Sequence, residues 1–337
     1  VSEVIKNYWY LICPSSEVKD QIITKTVLGE KIIIYRDQNG HLAALEDRCC
    51  HRNVQLSLGY LREGRVVCGY HGWEYDKSGN CILIPSQLPE NKIPPTAKIK
   101  SYPVQEFNRW VWIFIGDPEK SNTIKPLDIP EMNQWDFTYK AYVFKADLES
   151  TAESLVDPYH IAFAHRNSIR SFMGQIEEFP ADFDIKFHDD GIEGHYNRAN
   201  RGTFFEKMYF GHDDNLDTYY RFYFPNMSRL QINFKNRTLL ILEHVMQVDE
   251  NHVEMMQITL WKNIFSKFPA FGKYFMARKS AKIVGEDIEL LESQKKLIKD
   301  HGESLREISV KGDEVSLAFR KYWRRMVKEN GIEPDAE

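Results

Sequence analysis

Apolar residues fall into two different patterns along the chain, and the change between them divides it. From residue 5 to residue 116 they come in short β-rich runs: Tyr8 to Ile12, Gln21 to Leu28, Lys31 to Tyr35, Leu42 to Leu45, Val66 to Cys68, Trp73 to Tyr75 and Cys81 to Ile84. Asp37 to Gly40 and Asp76 to Gly79 read as hairpin turns between such runs. Lys98 to Pro103 and Trp110 to Gly116 close the region, the latter as an apolar run buried on both faces. The pattern predicts an all-β domain. Pro118, Pro126 and Pro130 then punctuate a stretch of scattered charge, which places a first domain at 1–118, a linker at 119–140 and a second domain at 141–337. In the second domain, Asp184 to Phe187, Ile192 to Tyr196, Tyr219 to Phe224, Arg229 to Phe234, Thr238 to Gln247 and His252 to Leu260 predict an antiparallel sheet. Ala277 to Lys299 has helical periodicity, and Ser316 to Lys328 reads as an amphipathic helix with a basic outer face that packs on the sheet or offers a docking surface. The fold class expected is α+β.

Composition narrows the function classes. The 337 residues carry 44 basic and 49 acidic side chains, a net charge of -5, which gives no nucleic-acid footprint and no polybasic membrane signal. Five cysteines, at 13, 49, 50, 68 and 81, are odd in number and gathered around one motif, which argues against a disulfide framework and for a reducing cytoplasm. The stretch VSEVIKNYWYLICPSS does not resemble a secretory signal, and Trp110 to Ile115 is far too short to span a bilayer. A soluble cytoplasmic protein is expected, with neither a nucleic-acid nor a membrane partner. No internal repeat or low-complexity segment is visible.

The densest chemistry lies between Cys49 and His71. Cys49-Cys50-His51 and Cys68-Gly69-Tyr70-His71 each offer a thiolate and an imidazole on a short loop, so two loops together give one metal two sulfurs and another metal two nitrogens. That is the ligand set of a Rieske [2Fe-2S] centre. Gly69 and Gly72 allow tight turns, and Gly59 follows the first loop. Structural zinc competes with this reading, although zinc sites usually pair Cys with Cys and His with His, whereas each pair here is mixed. Chance is the third reading.

A second constellation, DLESTAESLVDPYHIAFAH, runs from Asp147 to His165 and contains Glu153, Asp157, His160 and His165. Two histidines and a carboxylate are the inventory of a non-haem Fe(II) facial triad. The competing reading makes Asp157 a helix N-cap with Pro158 at the first position. Residues five apart sit about 140° apart on a regular helix, so His160 and His165 share a face only if a π-bulge brings them together.

The strings DRCCHRNVQLSLG and VVCGYHGWEYDKSGNC resemble the cluster domain of the Rieske non-haem iron oxygenases. Arg52, the run Leu56-Ser57-Leu58-Gly59, Gly72-Trp73 and Ile84-Pro85 extend the likeness past the ligands, while Cys50 departs from it and reads as a small apolar filler. The family's (E/N)-x3-D-x2-H-x4-H string is matched by Glu153, Asp157, His160 and His165. The resemblance implies that Cys49, His51, Cys68 and His71 hold the cluster. It also implies that His160 and His165 bind iron and that Asp157 accepts a hydrogen bond from a cluster histidine and relays the electron. A third iron ligand is needed downstream. On the helix from Ala277 to Lys299, Val284, Ile288, Leu291 and Ile298 form an apolar stripe that contains Asp287, with Glu286, Glu289 and Glu292 at its edge or far side. A carboxylate on a buried face is costly unless paired or bound to metal, which selects Asp287, and the family's E-D-x3-L-E-x-Q-like helix agrees. Pairing with a buried Arg or Lys is the alternative for Asp287.

The implied protein is the terminal oxygenase of a Rieske system, an N-terminal Rieske β-domain followed by a helix-grip catalytic domain, closest to single-subunit aromatic O-demethylases. Its cofactors would be the [2Fe-2S] cluster and mononuclear Fe(II), with O2 as co-substrate and NAD(P)H acting only through a separate flavin reductase or ferredoxin, since no G-x-G-x-x-G signature is present. The resemblance further implies a homotrimer in which His71 of one subunit meets Asp157 of the next, hydroxylating or demethylating a small organic molecule. An electron-transfer protein carrying only the cluster, and a zinc-stabilised binding module, are the alternative functions. Met227, Met246, Met255 and Met256 with Phe204, Phe205, Tyr209 and Phe210 are either pocket lining or plain core, the latter better supported. Histidines 188, 195, 212, 244 and 252 have no partner at ligand spacing and read as structural or exposed.

Overall fold

The computed structural model describes residues 5–88, 90–157, 159–165, 167–168, 184–199, 215–234, 237–265, 268–302 and 305–330. They form two compact units, Ile5–Asn133 and the residues from Gln134 onward. Among the described residues, none of the helices is long and apolar enough to cross a membrane.

The first unit contains ten short strands: β1 (Tyr8–Pro14), β2 (Ile23–Val27), β3 (Glu30–Arg36), β4 (Leu42–Glu46), β5 (Tyr60–Arg62), β6 (Arg65–Val67), β7 (Glu74–Tyr75), β8 (Cys81–Leu83), β9 (Val104–Phe107) and β10 (Trp110–Ile115). They pair as three antiparallel sheets, β1-β10-β9, β2-β3-β4 and β5-β6-β7-β8. The run Trp110–Ile115 is buried throughout because it is the central strand of its sheet. Lys98 to Pro103, expected as a strand, makes only isolated bridges at Lys98 and Ser101. The ladder beside β10 starts just after Pro103, a residue with no N–H to give to one.

Asp117 caps a 3-10 turn at Pro118–Asn122, accepting from the Glu119 N–H at 3.1 Å. Trp9 Nε1 donates to the Ile124 carbonyl at 2.7 Å and Arg109 Nε to that of Met132 at 3.0 Å, so this proline-rich stretch is secured to the first unit.

The second unit is built on seven antiparallel strands in the order β11-β17-β16-β15-β14-β13-β12. These are β11 (Asp136–Lys145), β12 (Asp184–His188), β13 (Gly191–Ala199), β14 (Asn215–Tyr223), β15 (Met227–Phe234), β16 (Arg237–Gln247) and β17 (His252–Lys262). The sequence pattern missed β11. It is an edge strand in which Phe144 alone is fully buried, so its alternation is blurred, and its first residues fall in the stretch expected to be linker.

Register fixes which residues share a face. Ser228, Glu243 and Gln257 lie side by side across β15, β16 and β17, and Leu239 lies opposite Trp261 on the same face. That face carries the helices. Met276 of the long helix Pro269–His301 packs with Phe234, Leu239 and Trp261, and Thr259 Oγ1 lies 2.9 Å from Ser280 Oγ. Phe319 and Trp323 of the last helix, Glu314–Glu329, pack on Phe222. Of the four methionines weighed as pocket lining, Met255 alone shares this face; Met227, Met246 and Met256 point the other way and are buried. Phe204, Phe205, Tyr209, Phe210 and His212 lie outside the described residues.

On the long helix, Val284 and Leu291 are buried as the periodicity predicts and Ile288 is half-buried, but Ile298 is 42% exposed. The helix outruns the sheet: Glu292 accepts from the N–H of Lys145, the last residue of β11, and the helix continues to His301.

Candidate metal centres

The two Cys/His loops are built alike. In the first, the Cys49 N–H donates to the Val54 carbonyl at 2.8 Å and the Asn53 N–H to the Cys49 carbonyl at 2.9 Å. In the second, the Cys68 N–H donates to the Trp73 carbonyl at 2.9 Å and the Gly72 N–H to the Cys68 carbonyl at 3.0 Å. The fourth residue after each cysteine has positive φ, 58° at Asn53 and 72° at Gly72. Gly69 serves differently from a turn glycine: a Cβ there would meet the Leu58 carbonyl oxygen at 2.7 Å, so its smallness is what lets the loops touch. Asp47 anchors the first loop, accepting from the N–H and hydroxyl of Ser57 at 2.7 and 2.8 Å.

The loops sort their ligand atoms by type. Cys49 and Cys68 lie in hydrogen-bond contact, and burial pushes the Cys68 thiol up. The His51 and His71 rings meet edge to face at 4.7 Å, with Trp73 stacked on His51 at 4.5 Å. His51 Nδ1 is buried and has no hydrogen-bond partner among the described residues, and burial together with His71 and Arg52 holds its pKa below the ordinary value. A neutral imidazole with an unused ring nitrogen is a metal ligand in waiting. Atoms around one tetrahedral zinc would stand roughly 4 Å apart or less. Among the described residues, the group that brings three possible ligand atoms within 4.8 Å of one another is His160, His165 and Asp287, not the Cys/His set. Two thiols on one side and two imidazoles on the other suit a two-iron cluster.

Tyr75 was not singled out by the sequence. Its hydroxyl lies 3.1 Å from Cys49 Sγ and 3.3 Å from Cys50 Sγ, so Cys50 shares this contact as well as filling space. Hydrogen bonds to cluster sulfurs set the reduction potential. Tyr75→Phe should therefore leave the cluster's visible spectrum in place and lower its midpoint potential, as read by spectroelectrochemical titration; an unchanged potential would remove Tyr75 from this role.

In the second unit the histidine pair is arranged by a broken helix and not by the expected π-bulge. The helix Leu148–Val156 ends at Asp157, whose ψ of 115° is extended, as the residue before a proline prefers. Asp157 is thus a C-cap and not an N-cap; its Oδ1 accepts from the Tyr159 N–H at 2.8 Å. His160 and His165 stand at the two ends of the single turn Ile161–Ala164, with rings 5.3 Å apart.

Each imidazole is tied by one nitrogen and presents the other. His160 Nδ1 bonds the Asp157 carbonyl at 2.7 Å, leaving Nε2 at 3.7 Å from Asp287 Oδ1. His165 Nδ1 lies 3.2 Å from Glu286 Oε2, leaving Nε2 at 3.4 Å from the same Asp287 oxygen. Glu286 also accepts from Ser168 Oγ at 2.5 Å. Glu286 was expected to project from the edge of the apolar stripe and had no assigned role; the structure makes it the partner that orients His165, a contact between distant segments that a helical wheel does not reveal. Glu153 accepts from Arg320 Nε at 2.7 Å and joins its helix to the last one. Of the other histidines, His188 and His195 pair with Glu193 and Asp217, His252 with Asp249, and His244 lies 3.0 Å from Asn226.

Residues 8–103 match the Rieske [2Fe-2S] domain family, and residues 144–329 match the vanillate O-demethylase oxygenase C-terminal domain family. The chain belongs to the Rieske non-haem iron oxygenases. It is 36% identical over 168 residues to the iron-sulfur subunit of the toluene-4-sulfonate monooxygenase system of Comamonas testosteroni, covering 49% of this chain and 48% of that protein. It is 33% identical over 177 residues to the vanillate O-demethylase oxygenase subunit of a Pseudomonas, covering 52% of this chain and 48% of that protein. The chain thus aligns with about half the length of these curated relatives. Dicamba monooxygenase bound to 3,6-dichlorosalicylic acid shares its fold, with a TM-score of 0.81 at 18% identity over 97% of this chain and 99% of that one.

A Rieske domain carries a [2Fe-2S] cluster, and the second site fits a single divalent metal ion. Burial, then the charges of Glu243 and Glu286, pushes the Asp287 carboxyl up to about 8. Burial also lowers the pKa of both imidazoles, keeping them in the neutral form that binds metal. An acid with no cationic partner among the described residues, beside two neutral imidazoles, is the donor set a divalent cation would stabilise. The sign of the pH dependence follows. Below about pH 8 Asp287 holds a proton that Fe(II) must displace, so the affinity of metal-free protein should rise by about tenfold per unit up to about pH 8 and then level off. An anaerobic Fe(II) titration against a competing chelator checks this; a flat profile below pH 8 would contradict it.

Proposed function

We propose that this chain is the terminal oxygenase of a Rieske system, which uses O2 and electrons from a separate ferredoxin or flavin reductase to hydroxylate or oxidatively demethylate a small organic, aromatic or cyclic, substrate. Convergence of His160 Nε2, His165 Nε2 and Asp287 Oδ1 carries this reading, because a protein that only transferred electrons would have no use for a second metal site. Cys49, His51, Cys68 and His71 would hold the cluster, and His160, His165 and Asp287 the iron. The cluster would supply electrons one at a time and the iron, with positions open on one face, would supply O2 activation. The chain's own residues do the orienting. The Asp157 carbonyl and the Glu286 carboxylate fix the tautomers of His160 and His165, so that each Nε2 keeps a free lone pair.

Asp157 would have a second task, accepting a hydrogen bond from His71 of a neighbouring subunit in a homotrimer and so relaying the electron. Its Oδ2 stands 3.9 Å from His160 Nδ1, which places the carboxylate beside the iron-site imidazole. All five cysteines are unpaired, which suits a reducing cytoplasm. The relatives' names point to aromatic substrates such as toluene-4-sulfonate and vanillate. The test is turnover with a surrogate reductase and a panel of ring compounds, scored by mass spectrometry. O2-dependent products that vanish in His160→Ala support the oxygenase reading; cluster reduction with no product across the panel would return the chain to the electron-transfer class.

A further inference from the structure

Tyr75 lies on β7 between Val66 of β6 and Cys81 of β8, so strand register fixes where its ring stands, and the side chain is fully buried. A buried hydroxyl must find its partners within the protein. Tyr75 has three such contacts. Cys49 Sγ is 3.1 Å from its oxygen and Cys50 Sγ 3.3 Å, and the Cys50 N–H donates to it at 3.3 Å. A tyrosine hydroxyl offers one proton and two lone pairs, which matches that set.

The direction of each bond follows from the chemistry of the partner. The Cys50 N–H can only donate, so it takes one lone pair. Cys49, which also contacts Cys68, becomes a thiolate once it holds iron and can then only accept. The single O–H proton goes to that charged sulfur ahead of the neutral one on Cys50, because charge-assisted hydrogen bonds are the stronger kind. Cys50 Sγ is left facing the second lone pair, with its S–H as the donor. A chain results, from the Cys50 S–H through the Tyr75 O–H to Cys49 Sγ, and in a buried chain each bond polarises the next.

We propose that Cys50 is a positioning residue for the cluster: its S–H and N–H aim the Tyr75 proton at Cys49 and strengthen that bond, which raises the reduction potential. The proposal rests on Cys49 being a cluster ligand. It gives Cys50 a task beyond filling space. Reduction adds negative charge to the cluster, so a stronger bond to a ligand sulfur favours the reduced form. A thiol is a weak donor, so the effect of Cys50 is smaller than that of Tyr75 itself.

Spectroelectrochemical titration of anaerobically purified holoprotein at one fixed pH tests this. Cys50→Ala keeps the N–H and removes the S–H. The cluster's visible spectrum should persist while its reduction equilibrium constant falls by about two- to fourfold, the scale on which one neighbour polarises a charge-assisted hydrogen bond. Cys50→Ser supplies a better donor and should hold the potential at the wild-type value or above it. In Tyr75→Phe protein the chain is already cut, so adding Cys50→Ala should shift the potential no further. An unchanged potential in Cys50→Ala overturns the proposal, and so does a raised one, which would mean that the Tyr75 proton points at Cys50. An equal shift with and without the Tyr75 hydroxyl also overturns it, since a space-filling Cys50 would behave that way. Should Cys50→Ala not hold its cluster, Cys50→Ser decides alone, and a potential below the wild-type value counts against the proposal. The ligand assignment fails separately: a Cys49→Ala protein that keeps the Rieske spectrum would fault Cys49 as a ligand and take the proposal with it, whatever the potentials.

Discussion

Asp287→Ala protein is expected to leave an anaerobic purification coloured but inactive. The carboxylate it removes is the only acid that lies within 4.8 Å of both presented histidine nitrogens among the described residues, and it lies on the buried side of the long helix. About one iron per chain should be lost, with retention falling beyond the 10–100-fold that removal of an outer-shell partner costs. The cluster's visible spectrum should persist, because Asp287 belongs to the other compact unit. Two neighbours calibrate the result. Glu286→Ala frees the Nδ1 side of His165 and should weaken iron binding by about 10–100-fold, whereas Glu289→Ala should change nothing. Metal analysis and turnover decide between these outcomes, and full iron occupancy in Asp287→Ala would mean that another group completes the site.

Asp157→Asn should give the opposite phenotype, with both metals kept and turnover lost. The local structure tolerates the amide: an Asn oxygen can still accept from the Tyr159 N–H, and the bond from His160 Nδ1 goes to the backbone carbonyl, which the substitution does not touch. What disappears is the negative charge. In the proposed relay the carboxylate would accept from a cluster histidine and balance its positive form, whereas an amide is a weaker acceptor without charge. Turnover should fall by on the order of 100-fold or more, the scale of a lost proton-coupled partner. The loss should appear as slow reoxidation of the pre-reduced cluster in a single turnover. If the relay crosses subunits, inactive Cys68→Ala and inactive Asp157→Asn chains should recover part of the activity when co-expressed in mixed trimers. Mixed trimers that stay inactive would argue for a path within one chain, and a monomer by light scattering would exclude the crossing.

The parts of the fold written in local pattern were legible in the sequence. Eight of the ten strands of the first unit, all but the short β5 and β9, the six strands from Asp184 onward and the long helix were marked by period and by turn residues, and so were the mixed Cys/His pairs. Strand β11 was not, because an edge strand has no strict alternation to enforce. The Asp-Pro pair at 157 was read as a helix start, although a proline equally ends what precedes it; only the chain's path settles which. Asp287 was found because a helical wheel puts it on a buried stripe. Glu286 and Tyr75 were missed because their contacts reach across 121 and 26 residues, to His165 and Cys49 respectively.

The central claim is that one chain holds a histidine-ligated two-iron cluster and a separate mononuclear iron at His160, His165 and Asp287. Mössbauer spectroscopy of protein grown on iron-57 and purified without oxygen tests it most directly. The account predicts the two inequivalent irons of an oxidised [2Fe-2S] cluster and about one high-spin ferrous site for each pair, the latter absent from Asp287→Ala. Cluster iron alone in the wild type, or a ferrous signal that survives Asp287→Ala undiminished, would contradict it.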